Sequence, residues 1–174
     1  MTAGPSEPRR TATDGHSTIR QDVSTAAAPV VVRDVTAADY PQWAPLWEGY
    51  NTFYKRVLPD AVTQATWSRF FDNAEPVHAL VAEQDGELLG LVHYLFHRAT
   101  AMIELNCYLA DQFTNEAARG KGVGKRLIEA VYDKARAAGC SRVYWQTHET
   151  NAVAQVLYNN VAERSGFIVY RQQL

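Results

Sequence analysis

Arg119-Gly120-Lys121-Gly122-Val123-Gly124 lies between a run with strand character ending near Thr114 and a run carrying Leu127, Ile128, Val131 and Ala135 at helical spacing. Three glycines at alternate positions let the backbone turn tightly as it opens a helix whose first N–H groups have no intrahelical acceptor. Such N–H groups close around phosphate oxygens, and Arg119, Lys121 and the following Lys125 add positive charge. The segment is a candidate anion cradle. Two common nucleotide motifs are excluded: GxGxxG from Gly120 needs glycine where Lys125 stands, and a P-loop ending in Gly124-Lys125 needs glycine at Arg119 and Ser or Thr at Arg126.

A second block lies further along. Cys140 to Thr147 reads as a strand, and Asn151 then precedes an amphipathic helix with Val153, Leu157 and Val161 four apart, ending at Ser165-Gly166-Phe167. Arg119, Gly122 and Gly124 form RxxGxG, which resembles the pyrophosphate loop of the GNAT superfamily of acyl-CoA N-acyltransferases. Asn151, Ala154, Tyr158, Gly166 and Phe167 are similar in order and spacing to that family's later block. The resemblance implies that acetyl-CoA is the co-substrate, with its pyrophosphate on Arg119 to Lys125 and a contact from Asn151. It also implies that Gln112, Phe113 and Thr114 pair with the pantetheine, and that Tyr158 is the acid that protonates the departing thiolate.

The elements that must position these residues can be read from hydrophobic patterning. Val30 to Val35 is a first strand; Trp43, Trp47, Tyr50 and Tyr54 recur at helical spacing; a second helix runs roughly from Asp60 to Asp72. His78–Glu83 and Leu88–Phe96 flank an Asp-Gly pair, a strong hairpin signal, and a further strand covers about Met102 to Thr114. With the glycine loop, its helix, the two later elements and a last strand over Phe167–Arg171, the order is β-α-α-β-β-β-α-β-α-β. That order is similar to the α/β GNAT fold, which implies a twisted mixed sheet of six or seven strands flanked by about four helices. Leu174 follows closely on the last expected strand, and an edge left open there favours a homodimer.

Tyr108 to Thr114 resembles the strand that precedes the glycine loop in the polyamine and thialysine acetyltransferase branch. Tyr144 to Asn151 and Ser165 to Tyr170 resemble a branch acting on D-amino acids, polyamines or histone tails. The glutamate that serves as base in the polyamine branch falls on Ala110. Strict alternation along a strand puts Asp111 on the opposite face from that position, so it is not an automatic substitute. A protonated alkylamine has no lone pair with which to attack a thioester, so a base is needed. Asp111 is the first candidate, then Glu104, Tyr108 or Glu149; equally, Asp111 serves only to bind the substrate ammonium. Backbone N–H groups around Gln112–Thr114 are placed to meet negative charge on the carbonyl oxygen. Tyr50, Asn51, Tyr54 and Glu48 are candidates to wall an amine pocket, beyond the core role usual for an aromatic stripe.

A chain of 174 residues that is 47% hydrophobic suits one domain with a sizeable core, expected over residues 29–174. Met1 to Ala28 is rich in Ser, Thr, Ala, Gly and Pro and has too little apolar surface to offset its ordering entropy, so it reads as a disordered tail. It has no signal-peptide apolar core, and no run approaches the ~20 apolar residues that span a bilayer, which favours a cytoplasmic protein without a membrane partner. A net charge of -2 gives no global attraction to nucleic acid. Cys107 and Cys140 read as free thiols. His93 and His97 share a strand face without an evident third ligand, and Ala152 stands where HExxH needs its second histidine, so no metal is expected.

The leading expectation is therefore an acetyl-CoA-dependent N-acetyltransferase for a small primary amine, such as a polyamine or amino acid. The alternatives are a protein lysine or N-terminal acetyltransferase, or a CoA-binding module that has lost catalysis. Deleting residues 1–28 is expected to leave melting temperature and turnover unchanged. A large drop in either would move the domain boundary.

Overall fold

The computed structural model describes residues 1, 2, 4 and 27–174. The expected tail over residues 1–28 lies almost entirely outside the described residues. Five strands form one sheet in chain order: β1 (Val31–Asp34), β2 (Val77–Gln84), β3 (Glu87–Arg98), β4 (Leu105–Thr114) and β5 (Cys140–Tyr144). The first four pair antiparallel, and β5 joins β4 in parallel. Asp85 and Gly86 close the β2–β3 hairpin with φ of +53° and +81°, the conformation that a two-residue turn needs to match strand twist.

Helices cover both faces. On one lie α1 (Tyr40–Phe53) and α2 (Asp60–Arg69); on the other lie α3 (Val123–Ala137) and α4 (Ala152–Val161). Trp43, Leu46, Trp47 and Tyr50, at the spacing of one helical face, pack on Val81, Leu88 and Leu91. α3 buries Val123, Leu127, Ile128, Val131 and Ala135 against Leu80, Val92, Tyr94, Cys107 and Leu109. α4 rests on this second core through Leu157 and Val161, and the Tyr132 hydroxyl donates to the Val161 carbonyl at 2.8 Å. Both cysteines are free, and Cys107 is buried.

The β3–β4 ladder carries the irregularity on which the site depends. His93 pairs with Asp111 but Tyr94 pairs with Leu109, so Ala110 is an extra residue and β4 bulges there. Strict alternation would put Leu109, Asp111 and Phe113 on one face. Instead Leu109 packs into the α3 core, whereas Phe113 packs into the α1 core and Asp111 meets His93. The bulge thus overturns the expectation from simple alternation.

Among the described residues the sheet has five strands and not the expected six or seven: Phe167–Arg171 does not pair with it, and Phe167 and Tyr170 are 90% and 88% exposed. Phe, Ile, Val and Tyr supply strand propensity, but a strand exists only through pairing and packing. Here α4 ends in the extended backbone of Ala162, and Gly166 at φ +81° turns the segment without pairing it to β5.

At the β1 side, Arg33 donates to both Asp39 oxygens at 2.7 and 2.8 Å and to Glu83 at 2.7 Å, tying β1 and β2 to the start of α1. The Arg33 hydrogen bond holds the Asp39 carboxyl down at about 2, against the opposing effect of burial and with help from the Thr36 backbone and hydroxyl. A folded value below the unfolded one contributes stability that is complete above about pH 4 and lost as pH falls toward 2. With Arg33 itself 33% exposed and partly screened, Asp39→Asn should cost about 1–2 kcal/mol at pH 7, about half of that at pH 3 and little at pH 2, read by urea unfolding. Gly90 supplies a second check, because a Cβ there would lie 2.6 Å from the Phe113 carbonyl oxygen on the facing strand. Gly90→Ala should destabilise by about 1–3 kcal/mol.

Candidate active site

β4 pairs with β5 only over Leu105–Tyr108. Beyond that point, through Gln112, Phe113 and Thr114, this edge of β4 has no strand partner among the described residues. Its alternate N–H and C=O groups are therefore placed to pair with an extended ligand.

The N-terminus of α3 abuts the same stretch. Gln112 Nε2 donates to the Gly124 carbonyl at 3.1 Å, and a Cβ on Gly124 would sit 2.6 Å from that nitrogen. Gly120 and Gly122 adopt φ of +76° and +77° with open space above them, so residues with side chains would be strained there. Gly122 caps the helix without a side chain, and the ladder begins with Arg126 N–H to the Gly122 carbonyl at 3.1 Å. The N–H groups of Val123, Gly124 and Lys125 thus lack intrahelical acceptors, at the positive end of the helix dipole. Arg119 pairs with Glu116 at 3.2 Å and Lys125 with Glu129 at 3.7 Å, both exposed. Such surface pairs are worth about 0–1 kcal/mol and yield readily to a phosphate. Lys121 has no ion-pair partner among the described residues. Donors, open space and charge fit a pyrophosphate.

Asp111 sits at the other end of the open β4 edge. Trp43 Nε1 donates to His93 Nε2 at 3.1 Å, and His93 Nδ1 faces Asp111 Oδ2 at 3.1 Å. An indole N–H can only donate, so Nε2 accepts and the His93 proton resides on Nδ1, from which it is donated to Asp111. His93 is 2% exposed and enclosed by the rings of Trp43, Trp47 and Phe70. Burial pushes the Asp111 carboxyl up, but the His93 hydrogen bond, the Tyr50 hydroxyl and the Arg56 charge together outweigh it and leave the group below the ordinary carboxylate value.

Tyrosines gather around this carboxylate. Tyr50 stacks on Trp47 and meets Tyr54 edge-on at 5.1 Å, and Tyr108 feels the charge of Asp111 as well as burial. Tyr158 projects from α4 onto Trp145, edge to face at 5.4 Å; burial first, then the nearby Tyr54, pushes its phenol up to about 12. Asn151 caps α4, its Oδ1 accepting from Ala154 N–H at 3.4 Å and its Nδ2 donating to Thr147 Oγ1 at 3.2 Å.

The residues read from the sequence as an amine pocket fall into two groups. Tyr50, Tyr54 and Asp111 come together. Glu48 and Asn51 instead line a groove of about 550 Å³ between α1 and α2, where Asn51 Nδ2 donates to the Trp47 carbonyl at 2.8 Å. The other base candidates, Glu104 and Glu149, are exposed in the turns before β4 and α4. Sequence reasoning missed His93 as the partner of Asp111. The available signal was a histidine inside an apolar strand, where a buried polar ring needs partners for both nitrogens. His97 contacts Tyr144 at 3.0 Å, and the described residues contain no group of three or more His, Cys, Asp or Glu able to hold a metal.

Comparison with known proteins shows the family and the fold. The profile of the acetyltransferase (GNAT) family matches residues 43–162. The D-amino-acid N-acetyltransferase HPA3 of Saccharomyces cerevisiae is 36% identical over 145 residues, covering 82% of this chain and 90% of that protein. The uncharacterized N-acetyltransferase YhfO of Bacillus subtilis is 30% identical over 141 residues, covering 80% and 94%. The ribosomal-protein-alanine N-acetyltransferase of Brucella melitensis biovar Abortus 2308 shares the fold, with a TM-score of 0.73 at 22% identity over 84% of this chain and all of that one. By sequence and by fold, the chain belongs to the acetyltransferase (GNAT) family.

Proposed function

We propose that this chain is an acetyl-CoA-dependent N-acetyltransferase that acetylates a primary amine of a small molecule by direct attack, with both substrates bound. The observation that carries this reading is the placement of an ionised, hydrogen-bonded Asp111 on the same β4 edge that leads to the free N–H groups of α3. Acetyl-CoA supplies the activated acyl group. Residues 119–125 hold its pyrophosphate, and the edge from Gln112 to Thr114 pairs with its pantetheine arm. HPA3, by its name, acts on amino acids, which supports a small amine acceptor. A cytoplasmic homodimer completes the reading, with the exposed Phe167, Ile168, Val169 and Tyr170 offering apolar surface to a second copy.

Asp111 first binds the acceptor as an ammonium ion and then takes its proton. Between an alkylammonium of pKa about 10 and an ordinary carboxylate of about 4 such a transfer is uphill by about 8 kcal/mol, and the His93 hydrogen bond that lowers Asp111 makes it steeper. A turnover of about 10 per second corresponds to a barrier of about 16 kcal/mol, so the transfer fits as a rare step before attack. The freed lone pair bonds to the carbonyl carbon, N–H groups at Gln112–Thr114 meet the charge on its oxygen, and the C–S bond breaks as the attacking nitrogen passes its second proton to the leaving thiolate, giving the amide and free CoA thiol. Tyr158 keeps its proton throughout the neutral range and donates a hydrogen bond to the departing sulfur. Full transfer from a phenol near 12 to a thiolate of pKa about 8.5 would cost about 5 kcal/mol, so hydrogen bonding carries most of the effect.

Incubation with acetyl-CoA and a panel of primary amines, followed by free-thiol release, is the direct test; no release with any amine contradicts the proposal. Asp111→Asn should lower kcat/KM by roughly 10²–10⁴-fold, with the residual rate recovering toward high pH, where free amine is abundant. His93→Phe removes the bond that holds the carboxyl low. Among the groups facing Asp111, Tyr50, Arg56 and Tyr108 remain, yet burial then weighs more and the acid limb of the pH profile should move to higher pH, with melting temperature as the control on folding. Tyr158→Phe should lower kcat far more than acetyl-CoA affinity. Equal loss in both would return Tyr158 to a packing role.

A further inference from the structure

The groove of about 550 Å³ between α1 and α2 is lined by two side chains that each carry an unpaired polar atom. Trp47 is 7% exposed and Asn51 4%, yet Trp47 Nε1 and Asn51 Oδ1 make no hydrogen bond among the described residues. Their orientation is fixed. A carbonyl can only accept, so it is the Asn51 amide nitrogen that faces the Trp47 carbonyl at 2.8 Å, and Oδ1 is turned away. The Trp47 ring stacks on Trp43 and Tyr50, which leaves its edge to the groove. A buried polar group left unpaired destabilises the fold, so a donor and an acceptor one helical turn apart on one wall call for a shared partner.

The rest of the lining sets the chemistry of that partner. Glu48 and Asp60 supply two carboxylates, neither of them in an ion pair among the described residues. Pro45, inside α1, has no N–H to give the Pro41 carbonyl one turn back, and both prolines line the groove. Arg56 is the one cation in the lining, and its guanidinium lies over the rings of Tyr50 and Tyr54 at 5.2 Å from each centroid. Lys55, left-handed at φ +55°, turns the chain so that Arg56, Val57 and Leu58 close this end. Acceptors and negative charge thus prevail, beside apolar surface from Pro45 and Leu58. α2 carries Asp60 in its first turn and buries no residue of its own, so this wall is free to swing outward and admit a ligand to the two buried atoms.

We propose that this groove binds a small organic cation bearing a hydroxyl, an amino alcohol in class, at a site separate from Asp111. One hydroxyl both accepts and donates, so its oxygen takes the Trp47 N–H while its hydrogen goes to Asn51 Oδ1. The cationic end is drawn to Glu48 and Asp60, and the alkyl carbons meet Pro45 and Leu58. A carboxylate in the same place has no donor for Asn51 and faces two like charges. A single water satisfies Trp47 and Asn51 but leaves the carboxylates and the apolar surface unused. Trp47 touches both the groove and, at 5.0 Å between ring centroids, the His93 ring, so the occupant lies one side chain away from the support of Asp111.

The test uses the full chain without acetyl-CoA, and choline as the ligand, because a quaternary ammonium has no N–H and is not itself an N-acetyl acceptor. The four tryptophans give separate indole N–H signals in a nitrogen-edited proton spectrum, and that of Trp47, assigned sequentially, should move downfield and saturate as choline is added. Ethyltrimethylammonium, which lacks only the hydroxyl, should bind roughly 5–100-fold more weakly, the scale of two hydrogen bonds. Glu48→Gln, at an exposed position, should weaken choline roughly 2–5-fold. Asn51→Leu should shrink the preference for choline over ethyltrimethylammonium. Melting temperature checks that the variants are folded, and the comparison of the two cations on the wild type decides if one is not. No saturable shift at Trp47, equal binding of the two cations, or shifts confined to the Tyr50 and Tyr54 rings would overturn the inference and leave the acetyltransferase reading intact. Choline bound as described, with no thiol released from acetyl-CoA by any amine, would overturn that reading and leave the groove assignment standing.

Discussion

A carboxylate taken mostly out of water must be hydrogen-bonded, and the arrangement of this fold around Asp111 follows from that requirement. The bulge at Ala110 turns Asp111 toward α1. His93 then satisfies it from the neighbouring strand, and Trp43 satisfies His93 from the helix above. The indole fixes the tautomer, the tautomer fixes the direction of the proton, and the proton keeps the carboxylate ionised. α1 thus does more than bury apolar surface on Val81 and Leu91. Its aromatic face closes a polar chain that would be costly if any member were left unpaired.

The two halves of the site are joined by β4. Its bulge orients Asp111, and the residues immediately after it, paired to β3 but open on the β5 side, run past the N-terminus of α3, where Gln112 is bonded to Gly124. A ligand aligned on that edge with its anionic end at Gly120–Lys125 has its other end directed toward Asp111. Such pre-alignment is the main source of rate where two substrates must meet, because it removes the entropy of bringing them together. Tyr158 stands on α4, Tyr50 on α1 and Tyr54 at the C-terminal cap of α1, and Tyr54 is near enough to Tyr158 to raise its phenol further.

Much of this was legible in the sequence because it rests on local rules. Asp85-Gly86 declared the hairpin, the stripe from Trp43 to Tyr50 declared α1, and the alternate glycines declared the opening of α3. What escaped was set by pairing between distant segments. A bulge depends on the partner strand's register, so periodicity alone placed Asp111 on the wrong face and left His93 without a role. The apolar run at Phe167 shows the opposite limit: it has strand propensity without strand pairing, since propensity records fitness for a pleated surface rather than the presence of one. The turn at Lys55 was equally hidden, because lysine gives no sign that it will adopt a glycine conformation.

The most direct measurement is a crystal structure of the protein with CoA and an unreactive acceptor analogue. The pyrophosphate is expected on the N–H groups of Val123, Gly124 and Lys125, the CoA sulfur beside the Tyr158 hydroxyl, and the acceptor nitrogen within about 3.2 Å of the Asp111 carboxylate while His93 still donates to it. An acceptor nitrogen bound elsewhere, with Asp111 engaged only by His93 and Tyr50, would contradict it.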